Sequence, residues 1–156
     1  MVAIAIRELG GSLKGKKVAM LGLSFKPGTD NMREAPSIKI ANHLYAHEAK
    51  IVAYDPEAIP NARQRFIRDS IKIEYADSVE ECLKGADCCM VMVEWDEFKS
   101  LSAEVFNRLM KRSVVIDGRR IYGQDFRRSV ARYRGIGLSC KDGLLQARSN
   151  NSLPRP

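Results

Sequence analysis

Lys26, Thr29, Asp30, Asn31, Arg33 and Glu34 are crowded into one stretch, GLSFKPGTDNMREAPS, at residues 22–37. Apolar residues precede it and a helix start follows, so these side chains belong to a turn. Two further polar clusters stand in the same relation to other apolar runs: Glu94-Trp95-Asp96-Glu97-Phe98 and Asp117-Gly118-Arg119-Arg120. The chemistry such groups suit is anion binding. Arg119 offers a planar fork that grips phosphate oxygens in pairs, and Lys26 a compact charge on a flexible stem. By residue type alone, two solvated bases is the better reading of the pair. Their places at strand ends are what give the phosphate or pyrophosphate reading its weight.

Other chemistries fit less well. Gly10 and Gly15-Lys16 have the G-x-x-x-x-G-K spacing of a phosphate loop, but Lys17 stands where a metal-binding Ser or Thr is needed. That segment also precedes a strand, whereas a phosphate loop follows one. His43 and His47 have a zinc spacing without the intervening Glu or a third ligand, and read as surface histidines. The cysteines, Cys82, Cys88, Cys89 and Cys140, form no metal pattern, and adjacent residues on a strand point to opposite faces. They read as small apolar fillers in a protein of a reducing compartment, with the cytoplasm expected. Asp55 ends an apolar strand, where a dinucleotide fold often places its ribose ligand. Gly22 and Gly28 are too far apart for G-x-G-x-x-G, so capping or turn formation by Asp55 is at least as good a reading.

The elements that must hold these groups emerge from hydrophobic periodicity. Strands are expected at 18–25, 50–55, 71–75, 87–93, 113–116 and 135–138. Helices are expected at 1–12, 36–47, within 56–69, at 78–85, 102–110 and 124–133. Ile38, Ala41, Leu44 and Tyr45 form the buried stripe of the second helix. Pro36 suits its first turn, and Ser78 with Glu81 makes a capping box. The alternation predicts an α/β fold: a Rossmann-like open parallel sheet of about six strands with helices on both faces. Ligands of such sheets bind beyond the carboxyl ends of the strands, where the three polar clusters are expected to converge.

The chain has 156 residues, enough for one core, and no apolar run long enough to span a bilayer. Membrane partners are therefore not expected. The net charge of +7 is concentrated at one end: seven bases and one acid lie from Arg127 to Pro156, against 19 bases and 18 acids before them. No nucleic-acid-binding signature accompanies that charge, and no nucleic-acid partner is expected. Residues 139–156 read as a mobile basic tail.

The run GLSFKPGTDNMREAPS resembles a signature of the C-terminal domain of the UDP-glucose/GDP-mannose dehydrogenase family. EWDEF and IDGRRIY, in the right order and spacing, resemble the UDP-glucose 6-dehydrogenase branch. The resemblance covers about residues 10–138. It implies an enzyme that oxidises the C6 hydroxyl of a nucleotide sugar to a carboxylate in two NAD-dependent steps, through a thiohemiacetal on a cysteine. It further implies that Phe25, Lys26 and Arg119 contact the nucleotide sugar and that Arg33 reaches NAD held mainly by another domain. Asp117 would orient Arg119 or cap its loop, with Trp95 and Phe98 in packing roles. Residues 1–12 would be a remnant of the family's central connecting helix, and 13–138 the nucleotide-sugar-binding domain. The dinucleotide domain and the catalytic cysteine in its G-x-C-F-P-K-D context are not in this sequence, so this chain by itself is expected to be inactive. The full-length enzyme is expected to be a homodimer or higher. The same domain of a GDP-mannose or UDP-N-acetylhexosamine dehydrogenase, and a non-catalytic nucleotide-binding or interaction module, are the alternatives.

Overall fold

Strand side chains alternate between two apolar layers, and that alternation decides where each helix docks. The computed structural model describes residues 1–138; the stretch 139–156, read above as a basic tail, lies outside the described residues. The elements run α1 (Val2–Glu8), β1 (Lys17–Leu21), α2 (Pro36–Ala46), β2 (Lys50–Tyr54), α3 (Ile59–Arg68), β3 (Glu74–Tyr75) and α4 (Val79–Leu83). They continue with β4 (Cys88–Val91), α5 (Asp96–Lys99), α6 (Ala103–Leu109), β5 (Val114–Asp117), α7 (Gln124–Ser129) and β6 (Arg132–Gly135). All six strands are parallel, in the order β3-β2-β1-β4-β5-β6. This is the doubly wound arrangement, whose order reverses between β1 and β4.

Val18, Met20, Cys88, Met90, Val114 and Ile116 face one layer, where Val2, Ala5, Ala41, Leu44 and Phe66 bring in α1, α2 and α3. Ala19, Leu21, Cys89, Val91 and Val115 face the other, covered by Val79 and Leu83 of α4, Phe98 of α5 and Phe106 of α6. Adjacent Cys88 and Cys89 thus enter opposite layers, as expected of strand neighbours. Ser78 caps α4 by accepting from the Glu81 amide, while Glu81 answers at Asp77 instead of at Ser78. A short α7 is held by aromatic contacts: Tyr122 stacks on Phe126 at 3.7 Å, and Phe106 meets both rings edge-on.

Three expectations need correction. Tyr45 is 45% exposed, leaving Ile38, Ala41 and Leu44 as the buried stripe of α2. The last helix ends at Ser129, and the last strand is Arg132–Gly135, earlier than the expected 135–138. Its residues carry no apolar alternation because they are held by polar contacts. Arg134 Nε donates to Glu8 Oε1 at 2.8 Å and Arg132 lies 3.8 Å from Glu8 Oε2, so the edge strand is fastened to α1 by one nearly buried acid. Third, 71–75 is a strand only at Glu74–Tyr75, and the segment after β4 contains a one-turn helix, α5.

Gly22 closes β1 at the point where the strand order reverses. Its φ is +97°, and a β-carbon there would lie 2.6 Å from Val93 Cβ. Both conditions demand glycine. Gly22→Ala is therefore expected to lower unfolding free energy by roughly 3 kcal/mol, read as a reduced urea midpoint.

Burial raises the Cys82 and Cys88 thiols from the ordinary 9.0 to about 12, and Cys89 well above its ordinary value. The thiols are neutral when folded and ionise near pH 9 when unfolded. Their contribution to stability is complete below about pH 9 and is lost as pH rises from there towards 12. Urea midpoints should accordingly hold from pH 7 to about 9 and decline above it.

Candidate functional site

The crevice at the carboxyl ends of β1 and β4 is where a doubly wound sheet binds ligands. In this protein its centre is occupied by Asp55, which follows β2 and is 2% exposed. Asp55 Oδ2 accepts from the Leu23 amide at 2.7 Å, the Ser24 amide at 3.1 Å and Trp95 Nε1 at 3.3 Å. Its Oδ1 accepts from the Glu57 and Ala58 amides at 2.9 and 2.8 Å. The Ser24 hydroxyl lies 3.1 Å from both Asp55 Oδ2 and the Lys26 carbonyl, and so can donate to either. One side chain thereby ties the turn after β1, the turn after β2 and the segment after β4.

In a dinucleotide site, backbone N–H groups at the first turn would receive pyrophosphate and the acid after β2 would receive ribose. Here the Leu23 and Ser24 amides are taken by Asp55 itself, and Val93 fills the space beside Gly22. Of the two readings of Asp55, turn formation is the one the geometry realises.

Beyond Ser24 the chain makes a closed loop. The Phe25 amide donates to the Asn31 carbonyl at 2.8 Å, Thr29 Oγ1 accepts the Asn31 amide, and Asn31 Oδ1 accepts the Arg33 amide at 2.8 Å. Phe25 is 46% exposed at this loop, and Lys26 is exposed beside it. The Lys26 side chain makes no hydrogen bond or ion pair among the described residues. Arg33 pairs with neither Asp30 nor Glu34, and it lines a cleft against α3 with Arg65 and Arg68.

The third cluster is organised by a second buried acid. Asp117 ends β5 and is fully buried; Oδ1 accepts the Arg119 and Arg120 amides, and Oδ2 those of Ile121 and Tyr122. The Tyr133 hydroxyl donates to the same Oδ2 at 2.7 Å, and burial together with this bond raises the phenol's pKa. Asp117 therefore caps the loop, while the Arg119 side chain is aimed by Glu94, whose Oε2 accepts from Arg119 Nε at 2.5 Å. Glu94, Lys99, Gly118, Arg119 and Ile136 are among the walls of an open cleft of about 500 Å³.

The expected convergence is thus direct for two clusters and indirect for the third. Glu94 and Arg119 touch; the Lys26 turn is joined to them through Asp55 and Trp95. Trp95 does more than pack, since its indole N–H reaches Asp55, whereas Phe98 is fully buried as expected. Tyr133, Glu94 as the partner of Arg119, and the arginines of α3 were not anticipated. An apolar strand ending in Asp, as in KIVAYD and SVVID, is the local signal that marks both loop-forming acids. His43 and His47 are exposed, and among the described residues no group of three or more acids, histidines or cysteines is placed to hold a metal.

Asp55→Ala removes the acceptor for several buried donors at once. It is expected to cost roughly 3–5 kcal/mol of unfolding free energy and to shift Trp95 emission to the red in whatever fraction remains folded. Chemical denaturation followed by fluorescence measures both.

Comparison with known proteins gives this geometry a context. Residues 19–124 match the UDP binding domain of the UDP-glucose/GDP-mannose dehydrogenase family. The chain is 42% identical over 125 residues to the UDP-glucose 6-dehydrogenase YwqF of Bacillus subtilis, covering 80% of this chain and 28% of that protein. It is 47% identical over 109 residues to the UDP-glucose 6-dehydrogenase AglM of Haloferax volcanii, covering 70% and 24%. Among solved structures, a UDP-glucose dehydrogenase from Pyrobaculum islandicum superposes with a TM-score of 0.73 at 28% identity, covering 88% of this chain and 29% of that one. A UDP-D-ManNAc dehydrogenase from Pyrococcus horikoshii gives 0.68 at 27% identity, covering 87% and 29%. The chain thus spans under a third of the length of these relatives. Its doubly wound sheet, its polar turns at the strand ends and this match together show that the chain belongs to the UDP-glucose/GDP-mannose dehydrogenase family, as its UDP binding domain.

Proposed function

We propose that this chain forms the nucleotide-sugar side of an NAD-dependent UDP-glucose 6-dehydrogenase, in which UDP-glucose is oxidised to UDP-glucuronate. The observation that carries the reading is Arg119. Its backbone is clamped by Asp117 and its Nε is engaged by Glu94, which leaves the terminal guanidinium nitrogens for an anionic ligand. Such a group binds phosphate oxygens with little further ordering. Phe25 supplies a half-exposed aromatic face and Lys26 a charge with no partner among the described residues, on a hydrogen-bonded loop suited to the ring and phosphate portions of a nucleotide sugar.

The crevice at β1 does not fit NAD as a primary site, because Asp55 already holds the turn amides and Val93 closes the approach to Gly22. In this reading, another domain holds the cofactor and Arg33 reaches towards it. The described cysteines are buried, with thiols held protonated, and are unsuited to act as the nucleophile. The chain by itself is therefore expected to bind without oxidising. The similarity to the Pyrococcus horikoshii enzyme favours one second reading, with a UDP-N-acetylhexosamine in place of UDP-glucose on the same scaffold.

Titration of UDP into the chain, followed by amide NMR, should move Phe25, Lys26 and Arg119, and Lys26→Ala should weaken binding by about tenfold. Shifts confined to other surfaces would refute the site. Parallel titrations with UDP-glucose, UDP-N-acetylhexosamines and GDP-mannose rank the substrates.

A further inference from the structure

Helix α3 buries Ala62 and Phe66, which fixes the direction its other faces point. With 3.6 residues per turn, Asn61, Gln64, Arg65 and Arg68 fall on one stripe. That stripe forms one wall of a cleft of about 330 Å³, and Asp30, Asn31 and Arg33 form the other. The two walls are fastened together, since Asn61 Nδ2 donates to the Asp30 carbonyl at 3.1 Å. On the loop side, the Asn31 side chain fixes the Arg33 amide, and Glu34, at φ +57°, turns the chain sharply away. Left-handed backbone at a non-glycine residue is uncommon and persists where surrounding contacts impose it.

Three guanidinium groups from two elements therefore rim one concavity. Arg65 is oriented by Asp69, which accepts its Nε at 2.8 Å and leaves its terminal nitrogens unspent. Arg33 and Arg68 have no carboxylate partner among the described residues. Gathered like charges repel one another unless an anion lies among them, and forked donors from different directions match a group with several phosphate oxygens.

We propose that this cleft binds a diphosphate, with Arg65 and Arg68 of α3 completing a set that Arg33 begins. The proposal rests on the reading of Arg33 as a residue that faces the cofactor, and it extends phosphate recognition to α3. The diphosphate belongs either to a dinucleotide presented from another domain or to a separate small diphosphate-bearing molecule.

The test titrates inorganic pyrophosphate into the chain and follows the arginine Nε–H signals and the Asn31 amide by NMR. Saturable shifts at Arg33, Arg65 and Arg68 are expected. The Arg65→Ala/Arg68→Ala variant should bind about tenfold more weakly while keeping the dispersion of its other signals. ADP-ribose is the second probe. If it moves the same residues and displaces pyrophosphate, the source is a dinucleotide; if pyrophosphate binds there and ADP-ribose does not, the source is the smaller molecule. Shifts restricted to Arg33, with the double variant binding as tightly as the parent, overturn the proposal and leave the Arg33 reading standing. Absence of any saturable shift with either probe overturns both. Equal shifts at Arg108 and Arg128 mark nonspecific attraction and also overturn it.

Discussion

The site depends on the burial of Asp55 among hydrogen-bond donors from three separate segments. A buried acidic side chain is costly unless its oxygens are occupied, and here backbone amides and an indole N–H occupy them. Without it, the Leu23 and Ser24 amides would open onto a crevice and the loop bearing Phe25 and Lys26 would lose its base. The fold thus satisfies internally the donors that a dinucleotide site would offer to a ligand. What it presents instead is displaced outward, to the loop apex and to Arg119.

Asp117 repeats the device three strands away in the sheet. It too ends an apolar strand, is buried, and gathers successive amides of the following loop. The two acids differ in what they recruit: Asp55 draws in Trp95 from the segment after β4, and Asp117 draws in Tyr133 from β6. Each loop is consequently held from another strand of the sheet as well as from its own. Functional side chains on loops acquire defined positions only when the backbone beneath them is held in this way.

Much of this architecture was legible from the residues. Apolar runs such as KVAML and CCMVMV show a sheet buried on both faces, and the alternation of elements allows few topologies. The strand ends that carry chemistry could be located because polar clusters follow apolar runs. Other features rest on long-range pairing, which periodicity does not record. The strand Arg132–Gly135 is amphipathic only in relation to Glu8, more than a hundred residues earlier. Glu94 is one acid among several in EWDEF until the loop after β5 brings Arg119 to it. Likewise, the arginines of α3 look like solvated charges near a helix end until Asn61 ties the helix to the Asp30 carbonyl.

The fastening of β6 to α1 has a further consequence. A parallel sheet with two free margins invites other chains to add strands to it, and short or charged edge strands discourage this. At one margin β3 is only two residues long, and at the other Arg132 and Arg134 are drawn to a single glutamate on a helix that crosses from the opposite end of the chain. A two-residue strand at one margin and a basic strand at the other both disfavour the addition of further strands, and a chain that lost its first helix would leave Arg132 and Arg134 without the glutamate that positions them.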